Sequence, residues 1–114
     1  MEAIDIARRV VEAASDKQAI DIVLLDTRDV CSFAEYFVIC SGDSSRQIDA
    51  IREEIEHVLK EQGVRPHHYE GSTDSGWLLM DYGAVIIHIF APEERDYYQL
   101  DKLWGQANTL VRVQ

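Results

Sequence analysis

Seven residues in the last third of the chain combine aromatic, apolar and charged side chains at spacings that favour a binding surface. The segment WLLMD places Trp77, Leu79 and Asp81 at alternate positions of a strand, so their side chains project from one face. Aromatic and charged side chains on a rigid sheet are typical of the residues that contribute most to protein–protein binding. The predicted binding residues are Trp77, Leu79, Asp81, Tyr82, His88, Arg95 and Tyr98.

A structural role is the alternative for two of these residues. Trp77 could pack beneath the C-terminal segment, where it would only complete the core. His88 could be a buried histidine that donates a hydrogen bond to Asp81 or to a backbone carbonyl group. For His88 we favour this second role, as a support behind Trp77.

The segment Ser41-Gly42-Asp43-Ser44-Ser45 precedes a predicted helix and could bind an anion through free N–H groups. It lacks the glycine and lysine pattern of phosphate-binding loops, and the carboxylate of Asp43 would repel a phosphate. Ser44 and Gln47 have the spacing of a capping box, so helix capping is the preferred interpretation.

Histidines and carboxylates form no recognisable catalytic or metal-binding pattern. The adjacent His67 and His68 point to opposite sides of a strand, and His57 lies on a solvated helix face. There is no Gly-x-Ser-x-Gly elbow, and Asp26 and Asp81 stand alone on their strands, whereas two-metal phosphoryl transfer needs clustered carboxylates. We therefore expect no catalytic residues, no metal and no cofactor. A residual nucleotidyltransferase-type enzyme that uses Asp26 or Asp81 together with the Ser41-Gly42 turn is the alternative.

Residues 77–90 predict the β-hairpin that positions most of the binding residues. Two apolar segments flank Tyr82-Gly83, and glycine supplies the positive φ that a tight turn needs. A two-residue loop would pair Asp81 with Ala84 and Trp77 with His88. The predicted core face carries Leu78, Met80, Val85, Ile87 and Ile89, and the other face carries Trp77, Leu79, Asp81, Ile86, His88 and Phe90.

The whole chain, residues 1–114, predicts a single domain of the α/β (α+β) class. Helices are predicted over residues 3–15 and from Ser45 to just before Gly63, and strands over residues 21–26, 36–40 and 65–70. A short, broken helix is predicted to begin at Pro92. With the hairpin, these segments predict a mixed five-stranded sheet flanked by helices. Residues 105–114 have a weak pattern and no predicted structure.

Composition limits the class of protein and of partner. With 46% hydrophobic residues the chain can bury a core, and its two cysteines make no disulfide framework. Eleven basic against 21 acidic residues give a net charge of −10, which argues against nucleic acid and favours a basic protein surface as the partner. A charge that only maintains solubility is the alternative.

No signal-sequence pattern or membrane-length apolar run is present, so we expect a soluble, cytoplasmic protein.

Several segments resemble the Iojap family, the ribosomal silencing factors. They occur in the family's order over most of the chain, from about residue 4 to residue 104. The resembling segments are residues 36–42, 45–47, 70–71, 76–83 and 85–90, followed by the pattern Arg95-x-x-Tyr98-x-Leu100-x-x-Leu103-Trp104.

The resemblance implies a nucleotidyltransferase-like fold without the catalytic acids, and a role that is not enzymatic. Family members bind the large ribosomal subunit through ribosomal protein uL-fourteen and block joining of the small subunit, which lowers translation when nutrients are short. The resemblance also places this contact on Trp77, Leu79, Asp81, Tyr82 and neighbouring residues. Self-association as a homodimer, through an exposed strand or the C-terminal aromatic residues, stays open.

Overall fold

A computed structural model describes all 114 residues and shows a six-stranded sheet with helices on both faces. The helices are α1 (Ala3–Asp16), α2 (Ser45–Glu61), α3 (Pro92–Tyr98) and α4 (Leu100–Leu103). The strands are β1 (Ile20–Asp26), β2 (Tyr36–Ser41), β3 (His68–Ser72), β4 (Trp77–Asp81), β5 (Val85–Phe90) and β6 (Asn108–Val113). The sheet order is β3-β4-β5-β2-β1-β6, with β2 and β5 parallel and all other neighbours antiparallel. The predicted class and mixed sheet are confirmed, but the predicted count of five strands is wrong by one.

The strand missing from the prediction is β6, which pairs with β1 at one edge of the sheet. The register shifts within this pair, because Leu24 faces Val111 and Leu25 faces Thr109, which leaves Leu110 without a partner residue. Such a bulge interrupts the alternation of apolar and polar residues that marks a strand in a sequence. The strand therefore depends on pairing with a distant segment more than on its local pattern.

Helices α1 and α2 pack together over one face of the sheet because each has an apolar stripe at helical spacing. The buried residues of α2 are Ile48, Ile51, Ile55, Val58 and Leu59, and those of α1 are Ala7, Val10, Val11, Ala13 and Ala14. These residues belong to a hydrophobic cluster of 22 buried residues, which is the main core.

The start of α2 is capped largely as predicted. Ser44 Oγ accepts a hydrogen bond from the Gln47 backbone N–H (3.1 Å). Gln47 Oε1 accepts from the backbone N–H of Asp43 (2.7 Å), whereas a capping box would use that of Ser44. The Gln47 side-chain amide also donates to the carbonyl oxygen of Gln18 (2.9 Å), which joins the start of α2 to the end of α1.

The second face of the sheet is covered over only part of its width. A smaller cluster of eight buried residues lies here: six on β1, β2 and β5, together with Ala34 from the loop before β2 and Leu100 from α4. Strands β2 and β5 are buried along their whole length, β4 is buried at alternate residues, and β3 is mostly exposed. The β3–β4 side of this face is therefore open to solvent.

The β4–β5 hairpin has the predicted faces but not the predicted register. Trp77 pairs with Phe90 and Asp81 with Ile86, two residues from the predicted pairing. Three residues connect the strands. Within this turn Asp81 Oδ1 accepts the Gly83 N–H (2.7 Å), and Gly83 has a φ of +83°. Since side chains alternate with a period of two, a shift of two residues leaves every side chain on its predicted face.

Candidate partner-binding surface

The uncovered part of the sheet, which we call the open face, is formed by His68, Glu70, Trp77, Leu79 and Asp81. In the β3–β4 register His68 pairs with Asp81 and Glu70 pairs with Leu79, so the side chains of each pair lie on the same face. The open face thus combines an aromatic ring, an aliphatic side chain, two carboxylates and an imidazole.

Trp77 is half-buried and is held in place from three directions. Its ring stacks on that of Phe90, with centroids 5.1 Å apart, and lies 4.4 Å from the ring of Tyr98 on α3. Its indole Nε1–H donates to Nδ1 of His88 (3.1 Å). An aromatic side chain fixed in this way loses little conformational freedom on binding, which suits it to anchor a partner.

His88 lies behind Trp77, as predicted, but its hydrogen bonding differs from the prediction. It does not donate to Asp81; its Nδ1 accepts from Trp77, so Nε2 carries the ring proton. That Nε2 is buried with no hydrogen-bond partner, and the ring lies 5.2 Å from that of Phe37. Burial lowers the pKa of His88 to about 4. With only 4% of its surface exposed, His88 supports the open face and is not part of its accessible surface.

A cavity of about 270 Å³ lies beside Trp77 on the open face. Gly71 of β3 lines it, with a φ of +74° and with no room for a Cβ atom, which would collide with the carbonyl oxygen of Trp77. This close approach of the two strands explains the glycine. The lining residues are Glu70, Gly71, Ser75, Trp77, Leu79 and Tyr98.

Asp81 has one oxygen bound to the hairpin turn and one directed along the open face. Its Oδ1 accepts the Gly83 N–H, whereas its Oδ2 lies 3.5 Å from Nδ1 of His68. The turn therefore orients the carboxylate of Asp81, and its second oxygen faces the imidazole of His68.

Tyr82 does not lie on the open face. It is 6% exposed and packs in the main core, on the side of the sheet that α1 and α2 cover. Its hydroxyl lies 3.1 Å from that of Tyr69, which donates to Glu56 on α2 (2.8 Å). The structure therefore separates Tyr82 from the predicted set and gives it a role in joining the hairpin to α2.

Arg95 is also largely buried and serves to hold α3 against the sheet. Its guanidinium donates to Ser41 Oγ (2.9 Å) and to the carbonyl oxygen of Asp21 (3.0 Å), and it forms an ion pair with Asp101 on α4 (2.9 Å). Because α3 carries Tyr98, Arg95 positions one wall of the cavity without contacting it.

The two aspartates of the enzyme alternative are not brought together. Asp26 pairs with Tyr36, a residue of the main core, while Asp81 lies on the opposite face of the sheet. Arg28 binds Asp26 through two hydrogen bonds (2.9 and 2.6 Å) and lowers the pKa of that carboxyl group. No group of three or more histidine, cysteine or carboxylate side chains is arranged to hold a metal ion.

His68 and Glu70 are residues of the open face that the sequence prediction missed. Both lie on the side of β3 opposite the half-buried Tyr69, but the residues beside them depend on the register between β3 and β4, which the sequence did not predict. A glycine inside a strand often marks a close backbone approach, but the strand predicted from the sequence ends at residue 70, so Gly71 lies outside it and gives no such signal.

Comparison with known proteins matches residues 1–114 to the model of a family described as ribosomal silencing factor during starvation. This chain belongs to the ribosomal silencing factor family. A Bacillus subtilis protein named ribosomal silencing factor RsfS is 43% identical over 95 residues, which are 83% of this chain and 80% of the relative. The crystal structure of a Chromobacterium violaceum protein, 37% identical, superposes with a TM-score of 0.87 over 92% of this chain and 88% of that one.

The family extends to organelles. A mouse relative named mitochondrial assembly of ribosomal large subunit protein 1 is 33% identical over 97 residues, which are 82% of this chain and 42% of that protein. In the present family member, none of the helices is both long enough and apolar enough to cross a membrane.

Proposed function

We propose that this protein is a cytoplasmic ribosomal silencing factor that acts by binding and not by catalysis. It binds the large ribosomal subunit through ribosomal protein uL-fourteen and blocks association with the small subunit, which represses translation when nutrients are short. Membership of the family and the names of its relatives support the class of function. The observation that carries the proposal is the open face, where Trp77 stands beside acidic side chains.

The physical mechanism is competition for a surface. An acidic protein of net charge −10 is attracted to a basic ribosomal protein, and this attraction speeds the encounter. Trp77, Leu79 and Tyr98 then supply the apolar contact that keeps the complex together, because removing such surface from water is favourable. No covalent bond forms or breaks, so the degree of silencing follows the occupancy of the large subunit.

Adjacent tyrosines on α3 provide a matched test of the site. Tyr98 lines the cavity and contacts Trp77, whereas Tyr97 is 81% exposed and lies outside the cavity. Purified wild-type protein, Trp77→Ala, Tyr98→Ala and Tyr97→Ala are each sedimented with isolated large subunits, after circular dichroism has confirmed that each variant is folded. We expect reduced sedimentation for the first two variants and wild-type sedimentation for Tyr97→Ala.

Subunit joining is measured on the same samples by adding small subunits and following the fraction of joined ribosomes. Wild-type protein lowers this fraction, and Trp77→Ala does so less. If Trp77→Ala and Tyr98→Ala sediment as well as wild type, the site is wrong. If wild-type protein does not sediment with large subunits, the function is wrong.

A further inference from the structure

The cavity beside Trp77 contains one charged side chain, that of Glu70. Its other side chains are those of Ser75, Trp77, Leu79 and Tyr98, so a carboxylate stands next to two aromatic rings. Aromatic faces attract cations, and a carboxylate forms charge-assisted hydrogen bonds with ammonium and guanidinium groups. This combination is suited to a lysine or arginine side chain.

In the free protein the carboxylate of Glu70 is bound to an imidazole. Nε2 of His68 lies 2.9 Å from Glu70 Oε2, and Nδ1 of His68 lies 3.5 Å from Asp81 Oδ2. Both ring nitrogens thus face carboxylates, and only the protonated imidazolium carries an N–H on each nitrogen. The hydrogen bond that His68 donates to Glu70, with a smaller contribution from Asp81, raises the pKa of His68 above its usual value.

Only strands β3 and β4 contribute charged groups around His68. His68 lies on β3, which is an edge strand, and the charged groups that face it are Glu70 on its own strand and Asp81 on β4. His68 and Glu70 are both more than half exposed, so the pair contributes little to the stability of the fold. The pair can therefore be opened by a competing cation without loss of the sheet.

We propose that the cavity beside Trp77 binds a lysine or arginine side chain of the partner, with Glu70 as its counter-charge, and that this side chain replaces His68 at Glu70. The inference rests on the proposed function and adds to it the chemical class of the contacted side chain. Glu70 then selects a positively charged side chain, and His68 competes with that side chain for the Glu70 carboxylate. Because a protonated His68 holds Glu70, partner binding releases a proton and weakens as the pH falls.

The first test compares Glu70→Gln with Glu61→Gln. Both glutamates are exposed (65% and 60%) and lie beside a histidine, His68 and His57 respectively, and each substitution changes the net charge by one. Glu61 lies on α2, which packs on the other face of the sheet. We expect the Kd for isolated large subunits to rise about tenfold in Glu70→Gln, the effect of losing one charge-assisted hydrogen bond, and to stay within about twofold in Glu61→Gln. Equal effects of the two substitutions would overturn the inference.

The second test measures the same Kd between about pH 6 and pH 8, where histidines titrate. We expect wild-type affinity to increase with pH, His57→Gln to follow the wild type, and His68→Gln to bind more tightly at the acid end with a flatter profile. Titration of ribosomal groups affects all samples equally, so the difference between the two histidine variants reports on His68.

Identical profiles for His68→Gln and His57→Gln would contradict the displacement of His68. If the wild-type protein binds large subunits and Glu70→Gln binds them with the same Kd, the inference is overturned and the proposed function stands. Absence of wild-type binding at every pH would overturn both. Thermal unfolding of each variant is recorded in parallel, and we expect it to match the wild type because the substituted side chains are exposed.

Discussion

At the scale of single residues, the hydrogen bond between Trp77 and His88 explains why a histidine stands inside this sheet. A phenylalanine at position 88 would leave the indole N–H of Trp77 without an acceptor. The cost of this arrangement is the buried Nε2–H group, which has no hydrogen-bond partner. Its benefit is a tryptophan held in one orientation on the open face.

This buried histidine predicts a loss of stability in acid. In the unfolded chain His88 titrates near its usual pKa of about 6.5, whereas in the folded protein its pKa is about 4. Between these values the unfolded state binds more protons, so the free energy of unfolding falls as the pH is lowered from about 6.5 to about 4. The full effect is on the order of 3 kcal/mol.

Urea denaturation at several pH values across this window measures the effect in His88→Gln, which keeps an acceptor for Trp77, and in His57→Gln, whose histidine is exposed. We expect the dependence on pH to be weaker in His88→Gln only. The same dependence in both variants would show that His88 does not titrate as described.

At the scale of elements, Arg95 connects α3 and α4 to the sheet. The backbone supports this connection, because two residues bonded to Arg95 have a positive φ: Asp21 (+48°), whose carbonyl oxygen accepts from the guanidinium, and Gln99 (+49°), whose N–H donates to the Arg95 carbonyl oxygen. Non-glycine residues rarely adopt such conformations unless the surrounding contacts impose them. Arg95 therefore contributes to the open face indirectly, through the position of Tyr98.

We predict that Arg95→Ala lowers the free energy of unfolding by on the order of 2 kcal/mol, because it leaves the carboxylate of Asp101 without its cation and leaves Asp21 with Arg112 alone. Arg9→Ala removes an ion pair on the surface of α1 and should change stability by less than about 0.5 kcal/mol. Denaturant unfolding measures both values, and Trp fluorescence reports whether Tyr98 has moved from Trp77. A loss no greater than that of Arg9→Ala would contradict the role of Arg95.

The edge strand β6 gives a second prediction at this scale. Val111 packs against the main core, whereas Leu110, its neighbour, is 46% exposed at the bulge. Val111→Asp should therefore lower the free energy of unfolding by about 1–2 kcal/mol, and Leu110→Asp should have little effect. Thermal unfolding of the two variants tests the placement of β6, since equal losses would place both side chains in the same environment.

At the scale of the whole molecule, the net charge of −10 predicts how binding responds to salt. If electrostatic attraction steers this protein to a basic ribosomal protein, the association rate constant should fall on the order of tenfold between low and moderately high ionic strength. Leu79→Ala should instead raise the dissociation rate, because it removes apolar contact without changing charge. Stopped-flow measurements with isolated large subunits at fixed magnesium concentration separate the two effects. An association rate that does not respond to salt would argue against a basic partner.

The homodimer is also a prediction at this scale. Two strands, β3 and β6, form the edges of the sheet, and an edge strand offers unpaired backbone groups to a second chain. Sedimentation velocity measures the state of association directly. If dimerisation used β3, it would compete with partner binding, because β3 carries part of the open face.

The sequence by itself determined the faces of the hairpin, the class of the fold and the resemblance that led to the family. These properties depend on short-range patterns: the alternation of side chains on a strand, the helical spacing of Ile48, Ile51 and Ile55, and the capping of α2 by Ser44. A shift of two residues in the hairpin register did not disturb them, because alternation survives an even shift.

Only the tertiary structure decided which predicted residues meet. The partial cover of the second face, the buried positions of Tyr82 and Arg95, and the sixth strand all result from contacts between segments far apart in the chain. No local pattern encodes such contacts, since they depend on the register between β3 and β4 and on where α3 and α4 pack. The same contacts brought His68 and Glu70 beside Trp77, and so turned a hairpin with mixed side chains into a defined open face.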